Sequence, residues 1–340
     1  MNSIPFKRFK NNNIILLRII LPDEFELFNT IRNKKIFACV LKENNCNFID
    51  SRTEIMHTPE FNFFVKFDDT KIATGTYNGI IKIWDLLSSK CLKTIVDKNN
   101  QGISCLIKLY KSQIAYGSDD TSNGSVGRSI KIWDLLSGIC LKTLIGHESW
   151  ISVLLKLNES ELLSGSGDKT MKIWDLINGN CLKTLLCDEF YVRCLLKVNN
   201  NQIASGSAAK NVKIWDLNSG IAVKTLSGHK DIVSCLLKIN THQIVSASWD
   251  NDIKIWNLQT EECLNTLSGH KRWILSLIKL KKNYLVSGSA DNFIKLWDLV
   301  TGNCLQSLLV YDITCLAKLN KKQIAYGQDY KIIKIWEIEI

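Results

Sequence analysis

With 340 residues, 46% of them apolar and only three prolines, the chain has enough material for a large folded core. Its longest apolar run near the N-terminus, Ile14–Leu21, is interrupted by Arg18 and falls far short of the ~20 residues that cross a bilayer, which argues against a membrane span. The net charge of +10 raises nucleic acid as a partner and the 12 cysteines raise disulfides; both readings depend on where those residues fall.

Residues 1–46 form an N-terminal extension without repetition. Pro22-Asp23-Glu24 follows the apolar run at once and no small-residue cleavage site is present, so a secretory signal is not indicated. Asn11–Asn13 is a polar tract, Asp23–Ile31 has the length of about two helical turns, and Lys35–Leu41 reads as a strand. Leu21-Pro22-Asp23-Glu24 resembles the start of an F-box, but too little chain precedes residue 47 to hold a whole one. A partly ordered cap is expected.

From residue 47 onward one pattern recurs. Its clearest copy is Leu267–Leu299: a Gly-His, three short alternating apolar runs, a tight polar turn and a Trp-Asp. Trp-Asp or a close variant occurs at Trp84-Asp85, Trp133-Asp134, Trp174-Asp175, Trp215-Asp216, Trp256-Asn257, Trp297-Asp298 and Trp336-Glu337, at spacings of 49, 41, 41, 41, 41 and 39 residues. A fixed period near 41 in a Gly-His…Trp-Asp frame marks a four-stranded propeller blade. The chain over residues 47–340 resembles the WD-repeat (β-transducin-like) family. That resemblance implies an all-β fold, a seven-bladed β-propeller of four-stranded antiparallel blades.

The last repeat ends just after Trp336, so blade seven lacks its fourth strand. His57 lies 27 residues before Trp84, as His147, His229 and His270 lie before Trp174, Trp256 and Trp297. Asn47–Glu54 therefore falls where a fourth strand belongs, and it is expected to pair with the C-terminal blade, closing the ring without an open edge. In blade two the turn Gly117–Ser129 is seven residues longer than in blade three and rich in Gly, Ser and Asp, which predicts a protruding loop. Asp119 and Asp120 lack the spacing of a calcium loop, and no metal site is expected.

Cys91, Cys140, Cys181, Cys263 and Cys304 share one repeat position, and Cys105, Cys194, Cys235 and Cys315 another. Equivalent sites in successive blades are expected beyond the ~7 Å Cα limit for a bridge, and no zinc spacing occurs. They read as small buried apolar residues in a reducing compartment, the cytoplasm or nucleus. Two lysine rows, Lys82/131/172/213/254/295/334 and Lys66/108/156/197/238/279/318, carry much of the charge evenly round the ring. That spread reads as solubility, so nucleic acid is not the expected partner.

Blade three places His147, Ser164, Asp168 and Trp174 in one repeat, which raises nucleophilic catalysis. Blades five and six repeat the set as His229, Ser246, Asp250, Trp256 and His270, Ser287, Asp291, Trp297, with the same His-to-Asp separation of 21. Three identical active sites are implausible. The family resemblance implies a structural hydrogen-bond network instead, whose buried imidazole and indole N–H each require a partner. Blade one carries Asn78 at the Asp position, blade four Asp188 and Ala209 at the His and Asp positions, and blade seven Tyr330 at the Asp position. Blades two, four and seven are therefore expected to open more easily.

Seven of the ten tryptophans belong to the repeat; Trp150, Trp249 and Trp273 do not. Trp150 and Trp273 lie three residues after the Gly-His histidine, with Tyr191 at that position in blade four. Trp249 immediately precedes the turn Asp, with Tyr77 at that position in blade one. The resemblance places both positions on the top face, the usual partner surface of WD-repeat proteins. Aromatics beside Lys230 and Lys271 have the composition of an interface hot spot. The expected function is a non-catalytic scaffold that binds other proteins or peptides, with acidic or phosphorylated ligands favoured. No cofactor and no small-molecule substrate are implied. A ubiquitin-ligase substrate receptor is the alternative, and it needs an adaptor-binding module. A histone reader ranks low because the patch leans basic; no Gly-rich phosphate loop or unrepeated nucleophile–base pair points to an enzyme.

Overall fold

The computed structural model describes residues 9–11, 14–16, 47–56, 61–97, 102–119, 128–187, 190–281, 283–321 and 323–339. The helix expected at Asp23–Ile31, the strand at Lys35–Leu41, His57, the loop over residues 120–127 and Asp188 lie outside them. Among the described residues every regular element is a β-strand. A short antiparallel pair, Phe9–Asn11 with Ile14–Leu16, precedes seven four-stranded sheets.

Each of these seven sheets is one blade, antiparallel throughout, and six of them hold their strands in sequence order. Blades 1 to 6 span residues 61–96, 102–145, 151–186, 192–226, 233–267 and 274–309. Blade 7 takes three strands from the C-terminus, Ile313–Lys318, Gln323–Gln328 and Ile332–Glu339, and its fourth from Asn47–Met56. That strand runs antiparallel to the last one, from Asn47 opposite Glu339 to Met56 opposite Ile332. The two ends of the propeller thus share one sheet, and no blade is left with three strands.

The first strand of each blade packs against the first strands of both neighbours, which puts it at the centre of the ring. The connections then sort onto two faces. One face carries the turns between second and third strands and the links between blades. The opposite face carries the turns between first and second and between third and fourth strands.

The apolar core lies between blades. One cluster joins Ile130 and Ile132 of blade 2 to Ile151, Leu162 and Trp174 of blade 3. Another joins Leu319, Ile333 and Ile335 of blade 7 to Phe64, Ile72 and Trp84 of blade 1. A single blade cannot bury its own faces, which is why the repeat is stable only as an array.

Two regular irregularities tighten the ring. In the first strands a bulge takes Ser104, Ser152 and Ser234 out of the ladder. Their hydroxyls donate instead to the carbonyls of Ile151, Val192 and Ile274 in the next blade. In blades 1 to 6 a second bulge lies opposite the repeat Trp, so that Trp174 faces Cys181 and Ile173 faces Lys183.

The cysteine row in the outermost strand is not buried, contrary to expectation. Cys91, Cys181, Cys263 and Cys304 are exposed and Cys140 is half-buried, because no strand lies beyond the fourth to cover them. The other row fits the expectation better. Cys105 and Cys194 are buried, Cys235 and Cys315 half-buried, and burial pushes the Cys105 thiol up to about 12. The ten described cysteines are all free.

Neither is the central lysine row mere solubility. Lys66, Lys108, Lys156, Lys197, Lys238, Lys279 and Lys318 end the first strands of blades 1 to 7. Each Nζ donates to a main-chain carbonyl of the preceding blade: Leu319, Phe67, Leu109, Leu157, Val198, Ile239 and Leu280 in turn. The row is a closed circle of inter-blade clasps.

Candidate functional site: the polar networks and the aromatic face

In blade 3 the ring nitrogens of His147 lie 2.7 Å from Asp168 Oδ2 and 2.7 Å from Ser164 Oγ, and Trp174 Nε1 donates to the same Oγ at 2.8 Å. Blade 5 gives 2.8, 2.7 and 2.7 Å for His229, Ser246 and Trp256 with Asp250, and blade 6 gives 2.8, 2.7 and 2.8 Å for His270, Ser287 and Trp297 with Asp291. A neutral imidazole satisfies every bond: Nδ1–H donates to the carboxylate, Nε2 accepts the Ser O–H, and the Ser oxygen accepts the indole N–H.

Local chain geometry sets this up. Gly228 and Gly269 adopt φ +154°, and a Cβ there would stand 3.2–3.3 Å from the edge of Trp256 or Trp297. Glycine lets the backbone pass the indole and deliver the next residue, His, to the serine. The carboxylates also accept main-chain N–H groups, from Glu148 at 2.9 Å, Lys230 at 2.8 Å and Lys271 at 2.8 Å. Burial alone would raise the acids, but the histidine and main-chain hydrogen bonds outweigh it and hold Asp250 and Asp291 at about 2. Asp168 is held lower still.

The set has the connectivity of a hydrolytic triad but not its access. Ser164, Ser246 and Ser287 are fully buried, and each Oγ is already engaged by histidine and indole.

The other blades keep parts of this network. Trp84 donates to Thr74 Oγ1 at 3.0 Å and Trp215 to Ser205 Oγ at 2.8 Å, so the indole–hydroxyl bond survives where Asn78 or Ala209 replaces the Asp. In blade 7 Tyr326 takes the hydroxyl position and packs on Trp336, with ring centroids 4.4 Å apart. Blade 2 holds a different arrangement. Tyr116 replaces the serine and donates to Asp97, which also pairs with Lys131, all three buried. Nothing in the Gly-His frame points to that trio; the signal available was an Asp at the end of the outer strand with a Tyr at the serine position.

The seven proposed partner-binding residues all lie on the face of the inter-blade links. Trp150 of blade 3 and Tyr191 of blade 4 meet at 5.9 Å, planes tilted by 57°. Trp249 of blade 5 stacks on Trp273 of blade 6, with centroids 4.5 Å apart and planes within 15°. Trp150 is 41% and Trp273 48% exposed, whereas Trp249 and Tyr191 are half-buried beneath them. Lys230 and Lys271 are exposed beside their histidines. Tyr77, although exposed, stands on blade 1, two blades from either pair, and is not part of the cluster. Exposed Phe190, Tyr311 and Tyr330 extend the aromatic surface. Phe190 and Tyr311 lie in the inter-blade links, a placement that could have flagged them.

Among the described residues no cluster of three or more His, Cys, Asp or Glu side chains is placed to hold a metal ion, and no helix is long and apolar enough to cross a membrane.

A ring of seven such blades, with the indole–hydroxyl–imidazole–carboxylate staple in three of them, is a seven-bladed β-propeller. The WD40 family model (WD domain, G-beta repeat) matches residues 138–175, 179–216, 220–257 and 261–298. The chain carries four WD40 repeats by that measure, set within its seven-bladed ring. Among solved structures the fold is similar to the WD40 β-propeller domain of Doa1, at 23% identity and TM-score 0.73, over 86% of this chain and 97% of that one. No curated protein matches the sequence. WD-repeat propellers are in general interaction scaffolds, and they bind other proteins.

Proposed function

We propose that this protein is a non-catalytic scaffold that grips a peptide or protein loop on the link face over blades 3 to 6. The observation that carries the reading is the pairing of the surplus aromatics: Trp249 with Trp273, and Trp150 with Tyr191, on one face. A large rigid aromatic surface costs little side-chain entropy to order and supplies most of the energy of an interface. Exposed Lys230 and Lys271, with Arg272 between Lys271 and Trp273, favour an acidic or phosphorylated partner. The buried serines of the three His–Ser–Asp sets support the non-catalytic part of the proposal, and the free cysteines a reducing location, cytoplasm or nucleus.

Affinity purification followed by mass spectrometry, comparing wild type with Trp150→Ala/Trp273→Ala, tests this. Partners that depend on the face should be lost from the variant while its circular dichroism and melting temperature stay close to wild type. Unchanged recovery from a folded variant would refute it. A ubiquitin-ligase substrate receptor would use the same face and would in addition recover a cullin adaptor.

A further inference from the structure

On the face opposite the aromatic pairs, the seven lysine clasps end the innermost strands and so stand round the central mouth of the ring. One lysine per blade in sequence thereby becomes a closed circle in space. Among the described residues only two of the seven meet a carboxylate, Lys66 with Asp69 and Lys156 with Glu159. The arc Lys197, Lys238, Lys279 and Lys318 is bonded to carbonyls alone. The turns that follow these four lysines contain no Asp or Glu: they read Val198–Asn201, Ile239–His242, Leu280–Asn283 and Leu319–Lys322. Two of them add Lys281 and Lys321.

A carbonyl uses one of the three N–H donors of an ammonium, and its partial charge does not neutralise the cation. Burial, with the neighbouring Lys279 charge, holds the Lys318 ammonium below the usual lysine range. Like charges held round one mouth by the fold are relieved by a bound counter-charge.

We infer that this mouth is a second binding site, for a compact polyanion with several phosphates on a small ring, of the inositol polyphosphate type. A closed circle of point charges fits a ligand whose anionic groups also lie on a circle; an extended polymer crossing the mouth would reach only a few lysines at once. The same headgroup could arrive free in solution or on a phosphoinositide lipid. The site is independent of the aromatic face.

The test is calorimetric titration of the full-length protein with inositol hexakisphosphate. Binding should weaken steeply with added salt, and Lys238→Gln/Lys279→Gln should lose about tenfold in affinity or more while Lys238→Arg/Lys279→Arg stays within about threefold. Amine-reactive labelling of wild type, read by mass spectrometry, keeps the question open to a negative answer even if the glutamine variant does not fold. The ligand should protect Lys197, Lys238, Lys279 and Lys318 and leave Lys230 and Lys271 unprotected. Vesicles bearing phosphoinositide separate the lipid source from the free one. Absence of binding, protection of the opposite face, or equal competition by polyglutamate or duplex DNA would overturn the inference.

Discussion

Trp249 and Trp273 stack across the seam between blades 5 and 6, with centroids 4.5 Å apart. They come from non-equivalent positions, one before the turn Asp and one after the Gly-His. In blades 3, 4 and 6 those two positions are hydrogen-bonded neighbours, an aromatic after the Gly-His position and Gly or Ala before the turn. Trp150 lies over Gly167, where a Cβ would come within 2.7 Å of the indole, and Trp273 meets Ala290. Blade 5 reverses the order, with Ile232 and Trp249. That reversal brings two indoles together. A double-mutant cycle of Trp249→Ala and Trp273→Ala in urea should give a coupling of about 0.5–1.5 kcal/mol; additive losses would show that the stack contributes nothing.

Ser246→Ala should be costlier than Ser205→Ala. Ser246 Oγ serves both His229 and Trp256, whereas Ser205 Oγ serves Trp215 in a blade with Ala209 at the acid position. Orphaning two buried groups should cost about 2–3 kcal/mol against about 1 kcal/mol for one. Chemical denaturation of the two variants measures the difference.

The ring should lose stability in acid. Asp250 and Asp291 sit at about 2 against an ordinary 3.8, so the folded state binds fewer protons than the unfolded chain between those values. Their contribution is therefore full above about pH 4 and is lost as the pH falls toward 2. Asp250→Asn/Asp291→Asn should melt lower at neutral pH and show a flatter melting curve between pH 4 and 2. Parallel pH profiles for the two proteins would contradict the assignment.

In blade 2, Lys131→Met alone leaves Asp97 and Tyr116 facing each other in a buried site. Removing one partner of a buried pair costs about 3–5 kcal/mol, and removing both much less. The melting temperature of Lys131→Met should accordingly rise when Asp97→Leu is added.

The number of blades was readable because Trp-Asp or a close variant recurs on the third strand of every blade and both features of the frame, the Gly-His and the turn Asp, are local to one repeat. The polar networks were readable for the same reason: His147 and Asp168 are only 21 residues apart and recur at that distance. What crosses between blades was not. Lys238 reaches Val198, 40 residues back, and Trp249 meets Trp273 over a seam, so neither contact leaves a trace within one repeat. The exposure of Cys181 and its equivalents also escaped, since an alternating pattern does not say which strand lies outermost.

Among the described residues the strand Asn47–Met56 has one ladder partner, Ile332–Glu339 at the other end of the propeller. During synthesis it leaves the ribosome early and must wait until Ile332–Glu339 has been made. Until then six four-stranded blades can assemble in order, but the wheel stays an open crescent, because the seventh sheet that joins blade 6 to blade 1 is unfinished. The strand Ile332–Glu339 therefore decides when the whole ring locks, and a nascent chain stalled before it would present raw sheet edges to whatever chaperone or neighbour it meets.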